Sequence, residues 1–472
     1  MMPRHIQILS LFFVLMSACS TAQRVPDLGH IYNALAMHED PHRNPVIVIP
    51  GLLGSKLVDQ DTGEKVWGAF GFGQVDPNSP TGARQFSLPM AKGRRLNELR
   101  DHVKPAGALD RVDVNFLGIP LQLNAYYNIL QTLGVGGYRD EELGMAGAVD
   151  YGEDHYTCFQ FAYDWRRDIV ESAKQLDHFI KTRAQYVQEE TEKRFGIQKA
   201  KVKFDMVAHS MGGLVARYYL RYGAADLPED GSLPKLTWAG AEYVDHLVII
   251  GTPNAGSMTA LEDLIHGASI ESIFPRYSAA VLSTMPSMYE LLPRARHLPL
   301  LRADGEPVTD LFDPELWKNQ QWGLADPKED FILKLLLPEV ESREQRLEIA
   351  LDHQAKALRR ARQFTSAMDL PAKPPDSLKL LLIAGDAEKT KRSAQIDPGR
   401  GIKIVKNGPG DGTVLRSSAL MDERVSNHLN RRLESPIYWS QVHFIFSDHL
   451  GLTKNPAFTD NVLYFLLESP RD

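Results

Sequence analysis

The chain has 472 residues, 43% hydrophobic and 24% charged, with a formal charge of −7. That length corresponds to roughly two to four units of 100 to 200 residues, or to one large core carrying insertions. A mild acidic balance with no basic stripe counts against a nucleic-acid partner, and the Arg/Lys-rich stretch 356–362 reads as a solvated helix face.

Arg4 precedes an apolar run, 6–16, that ends in "SACS", the anatomy of an export signal and too short to span a bilayer comfortably. Residues 1–19 are therefore set apart from the fold. The ending "MSAC" resembles a bacterial lipobox with Met16 where leucine is usual. Cys19 becomes the candidate lipidated residue, and the expected location is the cell envelope, at a membrane surface. Plain secretion or periplasmic release after "STA", ending at Ala22, and an uncleaved anchor are the alternatives. Beyond the signal only Cys158 remains, so no disulfide is expected within the folded chain.

Residues 20–44 are polar and irregular, a tether. They contain an H-E-x-x-H pattern from His38 to His42, but Pro41 breaks the helix that a zinc pair needs, so no metal is expected. "VIVIPGLLG", 46–54, reads as a strand buried on both faces followed by a tight loop. Residues 66–150, rich in Gly, Pro and aromatic side chains, read partly as excursions over the site. "YTCFQFAYDW", 156–165, is a second strand. An amphipathic helix follows from Ile169, capped by Asp168 with Glu171 reaching back and ended by Gly196.

Next come the strand "KVKFDMVA", a turn at Ser210, and a helix burying Val215, Tyr218 or Tyr219, and Tyr222. "EYVDHLVIIGTP" is another buried strand. Residues 257–376 break the alternation with helical, Pro-punctuated segments and read as an inserted cap. Alternation resumes with "LKLLLIAG", "GIKIVKNGPGDGTV" and "IYWSQVHFIFSDHLGL", before a last helix around "FTDNVLYFLLE". This order predicts an α/β fold: a mostly parallel sheet with helices on both faces, built from 45–256 and 377–472.

The turn in "VAHSMGG" carries the chemistry. A strand–turn–helix elbow lifts a serine hydroxyl above the sheet and needs small residues two positions before and after it, which Ala208 and Gly212 are. The Met211 amide is then free to donate to an oxyanion, and the loop in "PGLLG" offers a second donor, Leu53 first and Leu52 next. Ser210 needs a histidine to take its proton and a carboxylate to orient that histidine. His428, His443 and His449 are candidates. His443 alternates with apolar neighbours in a strand, whereas His449 lies in the loop beyond it, which favours His449. Asp411, flanked by glycines in "GPGDGTV", is preferred over Asp386 in "IAGDAEK".

With those residues in view, "PVIVIPGLLGSKL", "FAYDWRRD", "AHSMGG", "GTPNAGS" and "GDGTV" followed by a histidine resemble the lecithin:cholesterol acyltransferase and lysosomal phospholipase family of α/β-hydrolases. The matches run over about 45–460, with 66–150 and 257–376 unplaced. The resemblance implies Ser210, Asp411 and His449 as the triad and the Leu53 and Met211 amides as the oxyanion hole. It implies a structural corner of Tyr163, Asp164, Trp165 and Arg166 near the nucleophile, and Trp67 on a mobile lid over the pocket. Ala208 departs from the family's usual glycine, and the family's usual disulfides are impossible here. The expected activity is serine-dependent acyl transfer from a lipid acyl donor to water or an alcohol, without a cofactor. A hydrolase of non-lipid esters, thioesters or amides is one alternative, and an inactive envelope binding protein is another.

Overall fold

The computed structural model describes residues 32, 36–68, 75–109, 111–116, 119–124, 126–143, 155–268, 276–426 and 431–469. The expected export signal, Cys19, most of the tether, parts of 66–150 and His428 lie outside them.

Six parallel strands form the central sheet: β1 (Val46–Ile49), β2 (Cys158–Gln160), β3 (Phe204–His209), β4 (Val244–Ile250), β5 (Lys379–Gly385) and β6 (Gln441–Ile445). Their spatial order is β6-β5-β4-β3-β1-β2. The helices that matter most to the site are α1 (Tyr127–Val135), α2 (Ile169–Phe195), α3 (Gly212–Tyr222), α4 (Arg343–Asp369) and α5 (Pro456–Leu463).

Strand side chains alternate between faces, and both faces here are apolar, so the strands read as continuous hydrophobic runs. Val46, Val48, Val207, Val248, Ile250, Leu381 and Ile383 pack with Ile129, Leu130 and Leu133 of α1 and Phe458 and Val462 of α5. Ile47, Ile49, Met206, Ala208, Leu247, Ile249 and Leu382 belong to a second core with Ile169, Ala173 and Leu176 of α2 and Leu214 and Val215 of α3. Each such side chain, fully buried, contributes about 1.5–3 kcal/mol. The same second core takes in Leu261, Met285, Tyr289, Trp317 and Phe364, so segment 257–376 shares the interior of the strands around it.

Helix α3 is buried on every side. The sheet and α2 cover part of it, and α4 covers the rest: Tyr222 Oη donates to Ala367 O at 2.7 Å and Tyr218 stacks on Phe364 at 5.9 Å. This explains why Val215, both Tyr218 and Tyr219, and Tyr222 are all inside.

Several local expectations change. The strand expected over 156–165 is ordered as β for only three residues, after which the chain turns into the Tyr163–Arg166 corner. Helix α2 spans Ile169–Phe195, with the Asp168 carboxylate accepting the Val170 amide at 2.7 Å and Gly196 left-handed at φ 69°. Glu171 does not reach back. It pairs with Arg167 at 3.1 Å; separately, the first helical amide, that of Ile169, donates to Glu290 Oε2 at 2.8 Å.

"GIKIVKNGPG" is not a strand of the central sheet. Gly401–Gly410 forms an antiparallel hairpin with Glu388–Asp397, and the latter pairs with Leu300–Leu301. The reversal lies at Pro398 and Gly399, a pair that turns the chain before it can cross to the far edge of the sheet. Residues 38–42 are not helical, as the H-E-x-x-H reading would need: the chain turns over 40–43, with the Arg43 amide donating to Asp40 O at 3.0 Å and the Asp40 carboxylate accepting the His42 amide at 2.8 Å.

Candidate active site

The sheet order reverses at β1, which lies between β2 and β3, and such a reversal opens a crevice at the carboxyl ends of the strands. Ser210 leaves β3 there, beside the 50–54 loop that leaves β1. Ser210 has φ 52°, a left-handed conformation that costs an L-residue about 1–2 kcal/mol. The surroundings enforce it. Its amide donates to Ile250 O at 2.8 Å, and its carbonyl accepts the Thr252 hydroxyl at 2.7 Å and the Gly213 amide at 3.0 Å. A Cβ at Gly212 would lie 2.4 Å from Pro50 O and 2.5 Å from Ile49 O, so the helix can start this close to β1 only without a side chain.

Ser210 Oγ is 3.1 Å from His449 Nε2, and His449 Nδ1 is 2.8 Å from Asp411 Oδ2. Asp411 is buried, and its Oδ1 accepts the amides of Thr413 at 3.0 Å and Val414 at 2.6 Å. Burial opposes its charge, but the His449 imidazole and these two amides outweigh that and hold the carboxyl below its ordinary value. The approach of Asp411 depends on Gly385, the last residue of β5, where a Cβ would sit 2.6 Å from Asp411 Cβ.

The competing candidates sit elsewhere. His443 is in β6, register partner of Ile383, with Nε2 3.5 Å from Gln441 Oε1. Asp386 turns away from β5 with its carboxylate 3.5 Å from Arg416.

The 50–54 loop supplies the other side of the crevice. Leu53 is left-handed at φ 63°, and neither its amide nor that of Met211 has an acceptor among the described residues. Trp67 does not stand over the pocket as an exposed flap. It is 5% exposed, its indole Nε1 donates to Leu53 O at 2.7 Å, and its ring meets Phe86, Trp165 and Tyr277 at 5.8–6.4 Å. Residues 69–74, which follow it, lie outside the described residues.

The corner residues support the same loop. Tyr163 Oη donates to Pro50 O at 2.8 Å, and Trp165 Nε1 donates to Ser55 O at 3.2 Å. Asp164 holds the buried Arg166 through two hydrogen bonds of 2.7–2.9 Å, and Arg166 also binds Asp101 at 2.7 Å. Two residues at the site went unrecognised in the sequence. Tyr126 and His209 are buried against it, Tyr126 Oη accepting the Gly51 amide at 2.8 Å. The position of His209 beside Ser210 was the available signal; nothing local marked Tyr126.

A family model for lecithin:cholesterol acyltransferase matches residues 124–372, just over half of the chain. Among solved structures, a chain of the crystal structure of a Tle4–Tli4 complex is similar at TM-score 0.56 and 17% identity, covering 90% of this chain and 98% of that one. This is a likeness of fold. Lipase 1 from Pelosinus fermentans (13% identity, 90% and 99% covered, TM-score 0.34) and Bacillus licheniformis lipase BlEst2 in its propeptide form (12% identity, 92% and 52% covered, TM-score 0.33) are more remote. No curated protein sequence matches at a significant level. The fold is that of an α/β-hydrolase, and the chain belongs to the lecithin:cholesterol acyltransferase family.

Proposed function

We propose that the protein transfers acyl groups from lipid esters through an acyl-enzyme on Ser210. The observation that carries this reading is the chain of contacts Ser210 Oγ–His449 Nε2 at 3.1 Å and His449 Nδ1–Asp411 Oδ2 at 2.8 Å. His449 takes the serine proton as Oγ bonds to the ester carbonyl carbon, and the Asp411 charge stabilises the imidazolium. The Leu53 and Met211 amides donate to the oxygen that becomes negative. Collapse breaks the bond to the leaving alcohol, which leaves with the proton from His449. Water or a second alcohol then gives a proton to His449, attacks the acyl carbon and restores Oγ–H.

Family membership supports an enzyme acting on esters, and it favours lipid over soluble substrates. In the same proposal residues 257–376 act as the cap that selects the substrate, inserted in a core of 45–256 and 377–472. Lipidation at Cys19 would hold the enzyme in the cell envelope, at the membrane that contains its acyl donor; Cys19→Ala followed by membrane fractionation tests that part, and unchanged partitioning into membranes defeats it.

The catalytic test is labelling with a fluorophosphonate probe. Ser210→Ala abolishes labelling, and persistent labelling overturns the assignment. Incubation with radiolabelled phospholipid, with and without a sterol or other alcohol, identifies donor and acceptor. Turnover of short soluble esters without any release from phospholipid would favour the non-lipid reading.

A further inference from the structure

Tyr126 and His209 form a buried chain between the two halves of the site. The Gly51 amide lies 2.8 Å from Tyr126 Oη, Tyr126 Oη lies 3.2 Å from His209 Nδ1, and His209 Nε2 lies 3.3 Å from the main-chain oxygen of His449. One end is the loop that carries Leu53, and the other is the residue that carries the base. His209 is 3% exposed and Tyr126 5%.

The direction of every proton in this chain is forced from its ends. The Gly51 amide can only donate, so Tyr126 Oη accepts there. The His449 carbonyl can only accept, so His209 carries its proton on Nε2 and presents a bare Nδ1. Tyr126 then donates to Nδ1, and each group has a partner. A doubly protonated His209 would turn its Nδ1–H against the Tyr126 hydroxyl proton. Burial, together with the His449 ring 4.9 Å away, keeps His209 neutral by lowering its pKa to about 3.

Resting on the Ser210 reading above, we infer that His209 and Tyr126 are positioning residues: a neutral hydrogen-bonded brace that fixes the backbone of His449 relative to the oxyanion loop. Neither touches the reacting atoms. The His449 backbone is held on one side by Asp411 O, which accepts its amide at 2.9 Å, and on the other by His209. The ring direction toward Ser210 depends on both. Tyr126 has the matching role on the loop: by occupying the Gly51 amide it sets the turn in which the following Leu53 amide is left without an acceptor. Reacting groups tolerate little displacement, since a shift of about 1 Å can lower a rate about 100-fold.

The test uses the full-length enzyme, a soluble p-nitrophenyl ester and fluorophosphonate labelling. His209→Leu and Tyr126→Phe, each verified as folded by circular dichroism and melting temperature, are expected to lower kcat about 10- to 100-fold with KM within about twofold. His209→Gln supplies an N–H for the His449 carbonyl and an oxygen for the Tyr126 hydroxyl, and it is expected to restore kcat to within about fivefold of the parent. A residue that only fills space would not separate glutamine from leucine in this way. Leucine and phenylalanine variants with parental kcat, or a glutamine variant as slow as leucine, overturn the brace. Labelling that survives Ser210→Ala would overturn the underlying site instead, and the brace with it.

Discussion

Asp411 holds His449 at two points: its carboxylate lies 2.8 Å from Nδ1, and its main-chain oxygen accepts the His449 amide at 2.9 Å. Asp411→Asn removes the first contact and spares the second. An asparagine NH2 facing Nδ1 moves the imidazole proton to Nε2, where it can no longer accept from Ser210. By comparison with carboxylate removal in other serine triads, kcat falls by about 10⁴. Steady-state kinetics with a melting curve check this, and a folded variant with undiminished kcat rejects Asp411 as the orienting acid.

His443 and His449 are separated by their attachments. His443 is part of β6 with its imidazole near Gln441, so His443→Ala is expected to leave kcat within about twofold, as for a side chain away from the reacting atoms. His449→Ala removes the base and lowers kcat by about 10³ or more. Equal losses in two folded variants would reverse the choice between them.

Gly385 leaves room for Asp411. In Gly385→Ala the new methyl group would lie 2.6 Å from Asp411 Cβ and 2.9 Å from Ser447 O, both held by surrounding chain. Relieving that overlap costs about 1–3 kcal/mol of stability. The displaced carboxylate also slows labelling of Ser210, measured as the second-order rate with the probe. A parental labelling rate would mean that the end of β5 is not what positions the acid.

Trp67→Phe preserves ring packing with Phe86 and Trp165 but leaves the Leu53 carbonyl without its indole donor. An unmade buried hydrogen bond costs about 1–3 kcal/mol, and part of it is expected as lower kcat because the Leu53 amide is the proposed oxyanion donor. Loss of stability with kcat unchanged would limit Trp67 to packing.

His353, on α4, is buried with Nε2 2.9 Å from Thr284 O, and burial lowers its pKa to about 4. The unfolded chain binds this proton near pH 6.5, so between about 6.5 and 4 the unfolded state holds more protons and stability falls as pH is lowered. The limiting slope is about 1.4 kcal/mol per pH unit. The Asp263 carboxyl, raised by burial to about 7, acts with the opposite sign over that window, because the folded state holds its proton. Chemical denaturation of the parent and His353→Gln at several pH values isolates the histidine: the difference between them narrows by this slope as pH falls. A pH-independent difference would show that His353 does not enter the folded state neutral.

The readable parts of the chain were those whose signal is local. Buried strands such as "VIVI" and "HLVII" are short apolar runs, and α2 announced itself through its 3.6-residue spacing, Asp168 and Gly196. The elbow was equally legible, since Ala208, Ser210 and Gly212 are fixed by a single turn. The strand Glu388–Asp397 gives no such signal, since "EKTKRSAQID" is mostly polar with only Ala394 and Ile396 apolar, and its hairpin partner Gly401–Gly410 reads as a strand of the central sheet. The reach-back expected of Glu171 failed because its carboxylate is held by Arg167 and, from 71 positions away, by Arg100.

By itself, then, the sequence determined the alternation of strand and helix and the residue types able to do serine chemistry, because periodicity and turn sterics act over a few neighbours. Only the tertiary structure decided that Asp411 rather than Asp386 meets His449, that Trp67 lies inside beneath Leu53, and that Tyr126 and His209 join the loop to the base. Those choices depend on contacts between segments up to about 240 residues apart, where strand order and close backbone approaches such as that at Gly385 set the distances. A linear pattern contains no measure of that separation.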